Sequence, residues 1–203
     1  MSRRAVITGC GVVSALGSDA RATWDALVAG RVGIGPVTLF DTTRERTHTA
    51  AEIQGLPELS IPSGRQRRRA SRSDRMAFLA SGQAIEDAGL DLERVDRRRA
   101  GLLLGGGSAL LEGEAFLGAM LAAERRSPSR ALGFFPATSA DAVASHYGLS
   151  GEVDTLLTAC SSATIAIGLA AMRVMSGAAE VMLAGGVETL SRATYSGFNS
   201  LRL

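Results

Sequence analysis

Short apolar runs that alternate with helical stretches constrain the fold of this chain more than any other feature. The clearest runs are residues 100–107, 152–159 and 181–187, and none of them shows a sustained alternation of apolar and polar residues. Strands buried on both faces have this pattern, because helices cover both sides of a parallel sheet. The sequence therefore predicts an α/β fold in which a mostly parallel sheet is flanked by helices.

The other elements are assigned around these runs. Residues 4–13 are interpreted as a further buried strand, which places Cys10 in the core as a small apolar side chain. Helices are predicted at about residues 19–29, 73–88, 111–124, 139–147 and 161–175. Residues 33–65 hold three prolines and no strong periodicity, so we expect surface connections there. The 203 residues fit a single domain.

Charge and cysteine content argue against several classes of function. The formal net charge is only +2 and no aromatic residues lie between the arginines, which argues against a nucleic-acid partner. Cys10 and Cys160 are the only cysteines, so we expect neither a disulfide framework nor a metal site. The first apolar run is too short and too rich in glycine for a signal or membrane-spanning segment, and we expect a cytoplasmic protein with no membrane partner.

Two glycine-rich segments resemble nucleotide-binding motifs but lack essential parts of them. Gly9 and Gly11 begin a dinucleotide-like fingerprint, yet its sixth position is Ser14 and no acidic residue follows at the expected distance. The segment at residues 105–108 lacks the Lys-Ser/Thr ending of a phosphate-binding loop. A tight turn and close backbone packing beside a pocket are the better interpretations.

Cys160 lies where a predicted strand changes into a predicted helix. On residue type alone a buried core thiol is the more common case. At a helix start, however, unpaired N–H groups and the helix dipole stabilise a thiolate, and the small residues around Cys160 leave room for a substrate carbonyl. This arrangement suits acyl transfer. A nucleophilic cysteine also needs a partner base, and neither His48 nor His146 lies in a convincing position for that role.

Six segments, in order along the chain, resemble the β-ketoacyl-acyl-carrier-protein synthases, the condensing enzymes of fatty-acid and polyketide synthesis. They read RRAVITGCGVVSALG, FDTT, SDRMAFLASGQAIEDAGL, FFPATSADAVASHYGLSG, TACSSATIAIGLAAM and VMLAGGVETL. The resemblance implies a thiolase-like fold. Because it covers only the amino-terminal half of the family's usual chain, it also implies a fold that is incomplete relative to the full five-layer arrangement.

The resemblance assigns roles to particular residues. Cys160 matches the nucleophile that accepts an acyl chain, and its backbone N–H matches one donor to the oxyanion. The acyl pocket is expected at Gly107, Ser108, Phe134, Phe135 and Thr138. No cofactor is expected, because the substrates of this family arrive on the phosphopantetheine arm of an acyl carrier protein.

Partners follow from the same resemblance. A run of basic residues is usually a solvated surface, but an acidic carrier protein would dock at such a run near the entrance. We favour docking at Arg65, Arg67, Arg68 and Arg69, whereas the second cluster, at residues 94–99, is assigned to the surface. Family members are dimers in which the strand before the cysteine, here residues 152–159, pairs across the two-fold axis. We therefore expect a homodimer, or pairing with a ketosynthase subunit or a complementary half.

The resemblance also shows what this sequence does not supply. In the family, the carboxy-terminal half holds two histidines and a lysine that drive decarboxylation, so condensation by this chain alone is not expected. The helix at residues 161–175 is apolar all round and would have one uncovered face. The main alternative is a non-catalytic partner resembling chain-length factors, although those proteins usually lack the cysteine. A third alternative is a decaying gene fragment without function.

Overall fold

The computed structural model describes residues 3–56, 70–106, 110–122 and 138–202. The helices of this part of the chain are α1 (Ala20–Val28), α2 (Arg72–Asp87), α3 (Leu110–Leu121), α4 (Thr138–Tyr147), α5 (Ser162–Ser176) and α6 (Arg192–Ser200). Its strands are β1 (Gly35–Pro36), β2 (Thr49–Ala50), β3 (Ala100–Gly106), β4 (Val153–Leu156) and β5 (Val181–Val187). Short 3-10 turns lie at Leu92–Arg94, Arg97–Arg99 and Ala159–Ser161.

The main sheet is parallel, as predicted. Its strand order is β4-β3-β5, and β3 pairs in parallel with both neighbours, so that Leu104 lies between Thr155 and Gly185. Strands β1 and β2 form a separate antiparallel pair. In a parallel sheet all strands end at the same edge, and the carboxyl ends of β3, β4 and β5 therefore lie at one edge.

The central strand β3 is buried on both faces, which explains its continuous apolar sequence. Leu102 and Leu104 belong to the core cluster formed with α2 and α4. Leu103 points to the opposite face and joins Ala166 and Ala170 of α5. Helices therefore cover both faces of the sheet, and α5, which carries Cys160 just before its start, lies directly on β3 and β5.

The second arginine cluster has a structural role that the sequence did not indicate. The guanidinium of Arg97 donates to the carbonyl oxygen of Tyr147, at the end of α4. Arg99 donates to the carbonyl oxygen of Gly177, just after α5, at 3.0 Å. Carbonyl groups at helix ends have no partner within the helix, so these two arginines cap α4 and α5.

The prediction of a buried strand at residues 4–13 is wrong. The segment contains no strand residues, and Val6 and Ile7 are 73% and 86% exposed. It is instead extended along α2, where the N–H of Val12 donates to the Gln83 side chain at 2.9 Å. A strand needs a neighbouring strand, and none of the described strands pairs with this segment. Cys10 is consequently exposed and not part of the core.

The outer face of α5 is uncovered in the described part of the chain, as the apolar sequence of this helix predicts. Ile167 and Met172 on this face are 48% and 59% exposed, whereas Ala166 and Ala170 are buried against the sheet. By length and composition, residues 159–176 could also cross a membrane, and they are the one such stretch among the described residues. Because one face of the helix packs on β3 and β5, we interpret α5 as a core helix.

Candidate active site

Cys160 lies in a tight turn between the end of β4 and the start of α5. The turn is the 3-10 segment Ala159–Ser161, and the cysteine side chain is exposed. Ala159, just before the cysteine, has a φ of 53°, in the left-handed region that residues other than glycine rarely adopt. Such a conformation costs on the order of 1–3 kcal/mol and persists only where the surroundings hold it. Strained backbone next to an exposed thiol is a feature of functional turns.

Two serine hydroxyl groups hold this turn. The hydroxyl of Ser162 accepts a hydrogen bond from the N–H of Thr158 at 2.8 Å and donates to the carbonyl oxygen of Ala159 at 2.8 Å. The hydroxyl of Ser161 donates to the carbonyl oxygen of Thr158, also at 2.8 Å. The turn is therefore fixed on both sides of the cysteine.

One backbone N–H group, that of Cys160 itself, is available at this turn, whereas the N–H groups of Ser161 and Ser162 donate to Thr158 and Ala159. The side chain of Ser161, the N-cap of α5, makes no capping bond, and the N–H of Cys160 donates to no atom of the described residues. Unpaired N–H groups at a helix start bind oxygen atoms that carry negative charge. A carbonyl group that reacts with the sulfur of Cys160 would place its developing oxyanion close to the N–H of the same residue.

Polar residues and a cavity follow β5 at the same edge of the sheet. Glu188 comes directly after β5, and its side chain is exposed. The protein around its carboxyl group nevertheless removes part of its water, and this desolvation raises the pKa, an effect only partly offset by a hydrogen bond from the N–H of Thr189. A cavity of about 420 Å³ opens beside these two residues and is also lined by Thr47, Tyr195 and Phe198. The sequence analysis did not single out these residues, although polar residues directly after a buried strand are a signal for this edge.

Most of the other predicted site residues lie outside the described residues. Gly107, Ser108, Phe134 and Phe135 of the expected acyl pocket are among them, and so are the expected docking arginines Arg65, Arg67, Arg68 and Arg69. Thr138 is the first residue of α4, and its side chain is not described. The assignments of these residues stay predictions.

Each of the two histidines contacts side chains away from Cys160. His48 is exposed and lies 3.3 Å, through Nδ1, from the hydroxyl oxygen of Thr42. His146 makes edge-on ring contacts with Phe78 and Tyr147 near the end of α4. The segment after α4 bonds to Arg97 and Ala100 at the start of β3, so His146 lies towards the amino edge of the sheet, opposite Cys160.

Cys160 thus presents an exposed sulfur at the carboxyl edge of a parallel sheet, directly after the left-handed Ala159, and this arrangement suits nucleophilic attack on a carbonyl group. Residues 2–203 match the family described as Beta-ketoacyl synthase, N-terminal domain, and the chain belongs to that family. The resemblance of the six sequence segments is thereby confirmed.

Similar proteins agree with this assignment. The chain is 36% identical to the putative polyketide beta-ketoacyl synthase 1 of Streptomyces halstedii, over 100% of the chain and 50% of the relative. It is 30% identical to the 3-oxoacyl-[acyl-carrier-protein] synthase 2 of Synechocystis sp., over 98% of the chain and 49% of the relative. The chain thus spans about half the length of the curated relatives it matches.

A solved structure supports the fold in the same way. The crystal structure of a beta-ketoacyl synthase from Burkholderia phymatum superimposes with a TM-score of 0.86 at 30% identity. This match covers 99% of the chain and 50% of the crystal structure. The expected thiolase-like α/β fold, represented by its amino-terminal half, is confirmed.

Proposed function

We propose that this chain is the amino-terminal half of a β-ketoacyl-acyl-carrier-protein synthase, in which Cys160 accepts an acyl chain from an acyl carrier protein. The observation that carries the proposal is the exposed Cys160, which follows the left-handed Ala159 and whose own N–H donates to no described residue. Relatives named for polyketide synthesis and for 3-oxoacyl synthesis match equally long parts of the chain, so the proposal covers both pathways.

The acyl transfer step uses groups of this turn and of the carrier, together with a base of the complementary half that moves the proton of Cys160 to the leaving sulfur. The sulfur of Cys160, as thiolate, attacks the carbonyl carbon of the carrier-bound thioester and forms a new C–S bond. The oxyanion of the tetrahedral intermediate accepts hydrogen bonds from backbone N–H groups, including that of Cys160. The C–S bond to the phosphopantetheine arm then breaks, and that sulfur leaves and takes up a proton. The step requires no resident cofactor or metal.

Condensation requires a second set of groups, which we propose a complementary carboxy-terminal half supplies. Loss of CO₂ from a malonyl thioester leaves a carbanion that attacks the Cys160 thioester, and the cysteine leaves again as thiolate. The resemblance assigns decarboxylation to two histidines and a lysine of that half. His48 and His146 are each engaged elsewhere. Covering the exposed apolar face of α5 would favour such a complex by a gross contribution of about 25 cal/mol for each Å² buried, which must first offset the entropic cost of association.

We further propose that the assembled protein is cytoplasmic and pairs through β4. Within the described sheet β4 is an edge strand, hydrogen-bonded to β3 alone, and Leu157 just after it is 60% exposed. An exposed apolar edge strand favours pairing with another chain. The partner across this edge is a second copy or a ketosynthase subunit. The acidic carrier protein docks at the arginines between residues 65 and 69.

Reconstitution tests the proposal directly. The chain is mixed with a separately expressed carboxy-terminal half of a related synthase, and 3-ketoacyl product and CO₂ are measured with acyl- and malonyl-carrier thioesters. We expect product only when both halves are present. Each half alone is the matched control.

A Cys160→Ala variant separates the proposal from the main alternative. The proposed function requires that the reconstituted protein lose product formation with Cys160→Ala. A chain that only shapes the acyl tunnel of a full synthase would instead co-purify with that synthase and leave its rate unchanged in the Cys160→Ala variant. That result would replace the catalytic assignment by a role like that of a chain-length factor.

A further inference from the structure

We infer that Ser162 is a positioning residue that holds Cys160 in its reactive orientation. The inference rests on the proposed role of Cys160 as a nucleophile, and it adds a residue to which neither the resemblance nor the family assigns a role here. Ser162 is only 6% exposed, so its hydroxyl group serves the protein interior and not a substrate.

The hydroxyl group of Ser162 links the two residues that precede the cysteine. It accepts from the N–H of Thr158 and donates to the carbonyl oxygen of Ala159, both at 2.8 Å. Since one hydroxyl makes both bonds, the chain from Thr158 to Ser162 forms a closed loop with Cys160 at its exposed side. Neither bond can be replaced by water without opening this buried position.

The same residue connects the loop to the sheet. A Cβ atom built on Gly105, near the end of β3, would lie 2.5 Å from the carbonyl carbon of Ser162. The main chain of Ser162 therefore rests directly on the backbone of β3, and this close approach needs a glycine. Through Ser162 the position of the cysteine loop is set by the central strand of the sheet.

The left-handed conformation of Ala159 explains why such a link is needed. Its φ of 53° is unfavourable for alanine, and without a restraint the backbone relaxes towards negative φ. The carbonyl oxygen of Ala159 accepts from the backbone N–H of Ser162 and also from its hydroxyl group, and it is the hydroxyl group that ties this carbonyl to the N–H of Thr158 and so opposes the relaxation. A change in the backbone conformation of Ala159 would rotate the peptide that follows it, so both the sulfur and the N–H of Cys160 would move.

Ser161 provides a matched control on the other side of Cys160. Its side chain is exposed, and its hydroxyl bonds only to Thr158, at 2.8 Å to the carbonyl oxygen and 3.2 Å to the side-chain oxygen. It makes no bond to Ala159. Ser161→Ala therefore removes one hydroxyl group from the same turn, as Ser162→Ala does, but it leaves the hydroxyl bond to the strained Ala159 in place.

The experiment measures alkylation of the two cysteines by iodoacetamide, with Cys10 as the internal reference. Peptide mapping by mass spectrometry gives the ratio of the Cys160 rate to the Cys10 rate in wild type, Ser162→Ala, Ser161→Ala and Ser162→Thr. We expect Ser162→Ala to lower the ratio about fivefold, the rate factor for a lost contribution of about 1 kcal/mol. Ser161→Ala should stay within about twofold of wild type, and Ser162→Thr, which keeps the hydroxyl, should restore the ratio.

Alkylation does not depend on acyl transfer, so this result stands or falls separately from the proposed function. Thermal unfolding of each variant is recorded beside it, and the ratios are compared only at temperatures where every variant is folded, because unfolding gives both cysteines the same surroundings and would by itself bring the ratio towards one. An unchanged ratio in Ser162→Ala would overturn the inference. It would also be overturned by an equal loss in Ser161→Ala, or by a ratio that Ser162→Thr fails to restore.

Discussion

Cys10 and Cys160 are both exposed, but their surroundings differ in the features that favour a nucleophilic thiolate. Cys10 lies in an extended segment, and its N–H donates to a carboxylate oxygen of Asp87 at 2.8 Å. Cys160 follows a left-handed residue at a helix start, and its N–H is not bonded to any described residue. Exposure alone therefore does not distinguish the proposed nucleophile from Cys10. The left-handed residue before Cys160 and the unbonded N–H of Cys160 do.

The largest expected effect concerns acyl transfer itself. In the reconstituted protein, Cys160→Ser should lower the rate of acyl transfer from the carrier by roughly 10³-fold or more, because the nucleophile is removed. Cys10→Ser should stay within about twofold, since its side chain takes no part in the step. The rates are measured by single-turnover transfer of a labelled acyl chain. Comparable losses in the two variants would remove the distinction between the cysteines.

The next effect concerns the glycine beneath the Cys160 loop. Gly105→Ala should destabilise the chain by about 1–3 kcal/mol, because the new Cβ meets backbone atoms that cannot rotate away. Gly185→Ala, in the neighbouring strand, is the matched control, since its Cβ would meet no atom within 4 Å. Urea unfolding gives both free energies of unfolding. Equal effects at the two glycines would show that the loop does not rest on β3.

A smaller effect is expected for the hydrogen bond between the N–H of Cys10 and Asp87. Asp87→Ala removes the acceptor of the Cys10 N–H bond, and amide exchange at Cys10 should quicken about fivefold, as expected for one lost bond of about 1 kcal/mol. The alkylation rate of Cys160 should not change. Glu86→Ala, at an exposed neighbouring position on α2, is the control. Faster exchange in both variants would mean that the segment is not held by Asp87.

The smallest effect is a pH dependence from Glu188, at the same sheet edge as Cys160. Because desolvation raises the pKa of this carboxyl group, the folded chain holds its proton more tightly than the unfolded chain does. The tighter binding of this proton stabilises the folded chain fully below the ordinary carboxyl pKa of 4.5. That stabilisation is lost as the pH rises through the raised pKa of Glu188. Glu188→Gln should therefore unfold at the same temperature as wild type at low pH and at a higher temperature at neutral pH.

Thermal unfolding of wild type and Glu188→Gln between pH 4 and pH 8 checks this sign. The exposed Glu86→Gln variant gives the background of removing one surface carboxylate. A Glu188→Gln variant that is less stable than wild type at neutral pH would contradict the assigned direction.

Much of the fold could be predicted from local sequence patterns. The continuous apolar run of β3 predicts burial on both faces, and the glycines at positions 89 and 148 predict the ends of α2 and α4. Residues 4–13 have the same apolar character, but the pattern does not show whether a partner strand is present. For that reason the segment was wrongly predicted as a buried strand, and Cys10 as a core residue.

The candidate site could be predicted only in part. The position of Cys160 between a strand and a helix follows from the sequence, and so does the uncovered face of α5. The left-handed Ala159 does not, because nothing in an alanine signals a positive φ. The link made by Ser162 is also invisible in the sequence, since it depends on a three-dimensional turn that brings one hydroxyl to two backbone groups.

The most direct test of the central claim is to locate the acyl group. The chain is incubated with its complementary half and an acyl-carrier thioester in the absence of malonyl substrate, then digested and mapped by mass spectrometry. The account predicts a mass increase of one acyl group on the peptide that contains Cys160, with Cys10 unmodified. Condensation activity with no acyl group on Cys160, or with the group on another residue, would contradict it.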